Sequence, residues 1–348
     1  MEREVIPGGN DDSDEALFDY ACRVAKTDHH PVGTCKMGTD KNSVVDPQFL
    51  LPDYKVQQLV CSGMVHTGIS TIGLVVIRET DGHMEKNKAT DSSMEKDLGD
   101  DANILAAVLK AGAETSLSYY RKPVSIEVKA DQSPVTIADK NTEKAMRAII
   151  DDACPSDGVW GEEQGRNESG NRLWVIDPID GTKSFLLGNP LYGCLAGLVE
   201  NGAVKVGGAA VPPLNEYWIA AHGKGAYLNG QRLQASGQTQ LSNASIQCTS
   251  PDFFEDDERV RFDRISSQAR FRRYGGDCYS FLQLAAGWVD AVIESSLQPY
   301  DFVALVPIIE EAGGIITDWE GKALNVDSGP QVVAAASAEL HRTILEQL

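Results

Sequence analysis

Basic residues are scarce in this chain. Its 348 residues hold 31 Lys and Arg against 51 Asp and Glu, a formal net charge of −20. Nucleic acids and anionic membranes are bound through basic faces that displace counterions, so neither is expected as a partner. Long apolar runs are missing too: no stretch approaches the roughly 18 residues of a membrane span. The segment Met1 to Glu15 is acidic, where a signal peptide is basic and then apolar. Seven Cys occur without CxxC spacing and six His without an HxxxH pair. That argues against a disulfide framework or zinc site and for reduced thiols in a cytoplasmic protein. There is also no GxGxxG fingerprint for a dinucleotide. What is present is an ordinary globular composition, 42% hydrophobic and 24% charged, long enough for more than one compact unit.

Between Glu79 and Asp101 the chain is polar, charged and nearly free of large apolar groups, as a linker is. The expected organisation is an extension over 1–85, a linker over 86–96 and a folded unit over 97–348, the last divided into an α+β half (97–240) and an α/β half (241–348). Ile104, Leu105, Val108, Leu109, Ala113 and Leu117 recur at helical spacing, with Arg121 and Lys122 placed to suit the end of the helix dipole. A second helix is expected after Asp139, capped by Thr136 or Asp139. Strand-like runs follow at 159–163, 173–177, 194–199, 204–211, 217–221 and 244–248. Helices at 279–286, 302–312 and from Ala338 then alternate with strands at 289–294 and 315–318. Layered α/β packing is the consequence.

Acidic clusters sit at the edges of these apolar elements: Asp139, the Glu162-Glu163 pair, Asp177 and Asp180 in WVIDPIDGTKSF, and Asp301 in QPYDFVAL. A strand running into Asp-Pro-Ile-Asp-Gly-Thr offers two carboxylates three residues apart, a proline that fixes φ and a glycine free to take an unusual backbone angle. Oxygen-only ligands suit hard cations such as magnesium or manganese. Thr182 adds a hydroxyl that can hold an attacking water, with Asp139 as an acceptor for the hydroxyl proton. Taken singly, each acid is equally a turn, cap or solvated residue. Brought together they would repel unless cations neutralised them, so a shared site predicts bound metal. The run EDDE at Glu255 to Glu258 reads as a solvated acidic loop, and Cys278 as a small buried packing residue.

GEEQG (161–165), WVIDPIDGTKSF (174–185) and PYDFVALVPIIEEAGG (299–314) resemble, in order, three motifs of the inositol-monophosphatase-like, magnesium-dependent phosphatases. The resemblance covers about residues 97–348 and implies a layered αβαβα sandwich of α/β class. It implies that Glu162, Asp177, the Ile179 carbonyl, Asp180 and Asp301 hold two or three magnesium ions per site, with manganese as an alternative. Thr182 and Asp139 would orient the water, Glu163 would support the metal ligands, and the Gly181-Thr182 backbone would donate to the phosphate. The substrate would be a small phosphorylated alcohol and the assembly a homodimer. The segments Arg272–Asp301, SFLLGNPLYG (184–193) and GGIITDWEG (313–321) look most like the histidinol-phosphatase branch, which makes histidinol phosphate the expected substrate. Inositol phosphate and other sugar or nucleotide phosphates are the alternatives. Histidinol phosphate carries an amine and an imidazole, and Asp277 and Glu294 fall where the family contacts the part of the substrate away from the phosphate. Arg272 and Arg273 are left open between phosphate, a neighbouring subunit and solvent.

Asp28–Asp40 (DHHPVGTCKMGTD), Ser43–Leu51 and Leu59–Val65 are similar instead to the C-terminal end of glucose-methanol-choline flavin oxidoreductases, where the histidine corresponding to His30 lies near the flavin. Without the dinucleotide-binding unit of that family, residues 1–85 are expected to be a poorly structured fragment that binds no FAD. A remnant flavin-dependent alcohol oxidoreductase is therefore the competing reading from another class.

Overall fold

A computed structural model describes residues 98–128, 134–167 and 170–348. The expectations for the extension and for the linker over 86–96, His30 and the flavin among them, lie outside the described residues.

The first helix, α1 (Asp100–Tyr119), buries Leu105, Val108, Leu109 and Ala113 along one stripe. Asp100 and Asp101 occupy its first turn, where negative charge suits the dipole. The cations expected in its last turn lie just past it: Arg121 has left the helix with φ 56° and donates to the Gly188 carbonyl (2.9 Å). Lys122 still reaches back to the Ser118 carbonyl. After the short ribbon β1 (Ile126–Val128) and β2 (Pro134–Thr136) comes α2 (Ile137–Ala153). Thr136 caps α2 and Asp139 closes a capping box on it, so both candidate caps act together.

Eight strands then form one sheet: β3 (Gly158–Gly161), β4 (Gly165–Asn167), β5 (Arg172–Asp180), β6 (Gly193–Glu200), β7 (Ala203–Val211), β8 (Glu216–Ala221), β9 (Gly225–Leu228) and β10 (Gln231–Arg232). Their order is β10-β9-β8-β7-β6-β5-β3-β4, all antiparallel neighbours except the parallel pair β3 and β5. The five-residue helix α3 (Thr182–Leu186) follows β5 directly. A second sheet of order β12-β11-β13-β15-β14 is built from β11 (Ser245–Cys248), β12 (Phe271–Tyr274), β13 (Ala291–Glu294), β14 (Ile315–Thr317) and β15 (Val332–Ala335).

Helices fill the remaining layers. α1 and α2 cover one face of the large sheet through Leu105, Leu109, Met146 and Ile150 against Trp174, Ile176 and Ala196. Between the sheets lie α5 (Cys278–Ala285), α6 (Pro299–Phe302) and α7 (Leu305–Glu311), packed in the largest core with Leu195, Ala209 and Trp218 on one side and Val292 and Val332 on the other. α4 (Asp256–Ser266) and α8 (Ala338–Leu345) close the far face of the small sheet on Phe262, Ile265, Leu340 and Ile344. The result is a five-layer αβαβα sandwich of α/β class.

Two sequence expectations are corrected. EDDE is not a loop: Glu255 is the N-cap of α4, and Glu258 is 5% exposed, accepting from the Glu255 N–H at 2.9 Å and from Gln331. Negative charge belongs in a first helical turn, and the acid-rich run concealed that signal. The helix expected over 302–312 is two pieces, because Pro307 has no N–H for the Val303 carbonyl. The break lets the Ala304 backbone settle on the large sheet, where a Cβ on Gly207 would stand 2.2 Å from the Ala304 carbonyl oxygen.

Candidate active site

β5 is buried from Leu173 to Ile179 because it is central, between parallel β3 and antiparallel β6, and its last residue, Asp180, is half-buried. At Pro178 the regular alternation fails, and the register with β6 slips between Asp177 and Asp180. In an even strand, residues three apart face opposite ways; a bulge re-aims them. Asp177 and Asp180 accordingly reach one point, joined by Asp301 from α6, and one carboxylate oxygen of each lies within 4.8 Å of the others. Asp301 is steadied by the Gln298 N–H (2.7 Å), Asp180 by the Cys278 N–H (2.6 Å) and Asp177 by the Ile179 N–H (2.9 Å).

These carboxyls are electrostatically unhappy as anions. Burial is the first cause and the neighbouring negative charges add to it. Asp177 and Asp301 are raised well above the ordinary range, with Glu162 contributing to both, and Asp180 is pushed up to about 7. Such a cluster either holds protons or is neutralised by cations. Its ligand chemistry, carboxylate oxygens with no nitrogen among them, fits a hard divalent ion.

The cleft has a volume of about 230 Å³ and is lined by Glu162, Asp177, Ile179, Asp180, Gly181, Thr182, Asp277, Glu294 and Asp301, which are nine of the eleven candidate residues. Asp139, fully buried, reaches the cleft through Thr182: the Thr182 hydroxyl lies 3.5 Å from Asp139 Oδ1 and 3.2 Å from the Ile179 carbonyl, so its single proton has two acceptors. Glu163 is not among the lining residues; its backbone N–H donates to Glu143 (2.6 Å).

Asp277 and Glu294 line the same cleft, and the Asp277 charge is the largest of those that raise Asp180. Asp277 holds φ 48° after Gly275 and Gly276, and its Oδ2 accepts from the Ser184 hydroxyl (2.8 Å). Gly181, at φ 79°, passes so close that a Cβ there would meet the Asp277 carboxylate at 2.9 Å. Glu294 Oε1 accepts from the Thr249 N–H (2.6 Å) and hydroxyl (2.8 Å), while its Oε2 is buried with no hydrogen-bond partner. Burial pushes Glu294 up to about 8, the Thr249 bonds opposing and the charges of Asp277 and Asp180 adding. Burial also raises Asp277, against the Ser184 bond and the Lys183 charge.

Sequence reasoning missed Ser184, Thr249, Lys183 and Phe253, all of which serve the cleft or line it; the Lys183 ammonium sits 5.0 Å from the Phe253 ring centroid. Hydroxyls and lone lysines carry no distinguishing local pattern. Glu143 was missed as well, although a polar series 139, 143, 147 on one helix face was available as a signal. Arg272 and Arg273 lie on exposed β12, where Arg272 pairs with Asp263 (2.9 Å); neither lines the cleft. Cys278 is buried as expected.

With that geometry in view, residues 98–348 match the model of the inositol monophosphatase family, and the chain belongs to that family. It is a phosphatase, a phosphoric monoester hydrolase, of a family that is generally magnesium-dependent and acts on small phosphorylated substrates. Residues 2–60 match the model of the GMC oxidoreductase family. A chloroplastic bifunctional phosphatase of Arabidopsis thaliana is 42% identical over 252 residues, 70% of this chain and 73% of that protein. A histidinol-phosphatase of Chlorobaculum parvum is 37% identical, covering 66% of this chain and 89% of its own. Among solved structures, an inositol monophosphatase from Zymomonas mobilis superposes with TM-score 0.66 at 38% identity, covering 71% of this chain and 96% of that one. No helix of the described residues is long and apolar enough to cross a membrane.

Proposed function

We propose that residues 97–348 hydrolyse histidinol phosphate to histidinol and phosphate in the cytoplasm, as a homodimer holding two or three magnesium ions per site. Manganese is the alternative ion. Glu162, Asp177, the Ile179 carbonyl, Asp180 and Asp301 would hold the ions, with Glu163 supporting them. Magnesium bound there supplies Lewis-acid neutralisation of the phosphate oxygens and the departing alkoxide.

The chain's own residues do the rest. With the Ile179 carbonyl taken as a ligand, Asp139 remains as acceptor for the Thr182 proton. Thr182 Oγ1 then accepts from the attacking water, so the water's lone pair turns toward phosphorus while its proton is held on a path to Asp139. The Gly181 and Thr182 N–H groups donate to the phosphate. Asp277 and Glu294 receive the cationic end of the substrate.

The observation that carries the substrate assignment is the unpartnered Oε2 of Glu294, buried beside Asp277 in the same cleft. A carboxylate costs least in such a place when a cation arrives to share its charge, and a protonated amine is one. A neutral polyol offers no such return. Two relatives whose names include histidinol-phosphatase support the assignment, at 37% and 34% identity. The test is kcat/KM for histidinol phosphate and inositol 1-phosphate side by side. The proposal requires a preference for the former and fails if inositol phosphate is turned over as well or better.

A further inference from the structure

Glu162 and Glu163 sit on the three-residue loop between β3 and β4, where Gly161 pairs with Gly165. Gly165 at φ 71° gives that loop its reversal. Such loops leave backbone donors to satisfy, and here a side chain from another element takes them. Glu143 of α2 is fully buried; its Oε2 accepts from the Glu163 N–H (2.6 Å) and its Oε1 from the Gln164 N–H (3.0 Å). Arg147, one turn further on, pairs with Glu143 Oε1 (2.7 Å) and donates to the Gly165 carbonyl (2.6 Å). Gly161 is part of the same fit, since a Cβ there would stand 2.3 Å from Glu143 Oε1.

We infer that Glu143 is a positioning residue for the cation site. It does not line the cleft; it clamps the loop so that Glu162 is already in place before an ion arrives. An ion that had to order this loop would lose binding free energy to the ordering; a clamp that has already ordered it raises affinity. The same helix presents Asp139 toward Thr182, so α2 sets both the ion-binding loop and the water-orienting pair. The inference rests on the reading that Glu162 and Asp177 hold a divalent ion.

The test is magnesium binding by calorimetry to the full chain and to Glu143→Gln, with kcat at saturating magnesium alongside. The glutamine amide presents hydrogens to one of the two loop N–H groups, so the clamp opens with little change in volume. Magnesium affinity is expected to fall about 10- to 100-fold, the range seen for partners of metal ligands, with kcat at saturation within about twofold. An unchanged dissociation constant overturns the inference, and a merely structural glutamate would lower the melting temperature without moving that constant. Asp177→Asn separates the two claims. If it too leaves magnesium binding unchanged, the ion-site reading has failed; if it abolishes binding while Glu143→Gln does not weaken it, only the positioning inference has. Should Glu143→Gln not fold, amide exchange in the unaltered chain decides. The Glu163 and Gln164 amides are expected to exchange slowly without magnesium, and fast exchange that slows only on adding magnesium overturns the inference.

Discussion

The Thr182 hydroxyl lies 3.5 Å from one carboxylate oxygen of Asp139, and the other oxygen of Asp139 accepts from both the N–H (2.8 Å) and the hydroxyl (2.7 Å) of Thr136. Asp139 is thus held by its helix cap through one oxygen and faces Thr182 with the other. Asp139→Asn should lower kcat about 100- to 10,000-fold, the usual weight of a positioned proton acceptor, with KM little changed. Steady-state kinetics check this; a large change in KM with kcat intact would assign Asp139 to substrate binding instead.

Asp177 carries both burial and repulsion. Asp177→Asn removes a candidate ligand and relieves charge among Glu162, Asp180 and Asp301. Turnover should vanish while the melting temperature in chelator stays equal or rises, and the stabilisation given by magnesium should disappear. A variant that still gains stability from magnesium would contradict the ligand assignment.

The raised carboxyls give the metal-free protein a defined pH response. Glu294 goes from an ordinary 4.5 to about 8 on folding, and Asp180 from 3.8 to about 7. The folded chain therefore keeps protons that the unfolded chain has lost, so stability falls as pH rises between roughly 4 and 8. The contribution is complete below the unfolded values and gone above the folded ones. Melting curves in chelator should show this decline. Magnesium, which favours the anions, should flatten it and stabilise more at pH 8 than at pH 5.

Ser184 holds Asp277 by a hydrogen bond to its carboxylate. Ser184→Ala should raise KM for histidinol phosphate about 10-fold, the worth of one bond to a charged group, and leave turnover of a neutral phosphate ester unchanged. Equal loss on both substrates would place Ser184 in scaffolding alone.

Much of this was legible in the sequence because its chemistry is local. The Asp-Pro-Ile-Asp-Gly-Thr run carries its own turn, and the periodicity of 105, 108, 109 and 113 fixes the buried face of α1. Gly207 was not legible, since its need for space comes from Ala304, nearly a hundred residues later. Gly207→Ala should accordingly destabilise the fold by about 1–3 kcal/mol, the cost of overpacking, as measured by denaturant unfolding. Nor could sequence reveal that Ser184 meets Asp277 or that Thr249 meets Glu294. Those partners are 93 and 45 residues apart and meet only because the elements carrying them converge on one cleft.

The central claim is that carboxylates of this cleft serve a divalent ion in phosphate-ester hydrolysis. Phosphate release from histidinol phosphate by the purified chain, followed after chelation and again after magnesium is restored, tests it most directly. The account predicts release that stops with the chelator and returns with magnesium. Release that continues in chelator, or none under either condition, would contradict it.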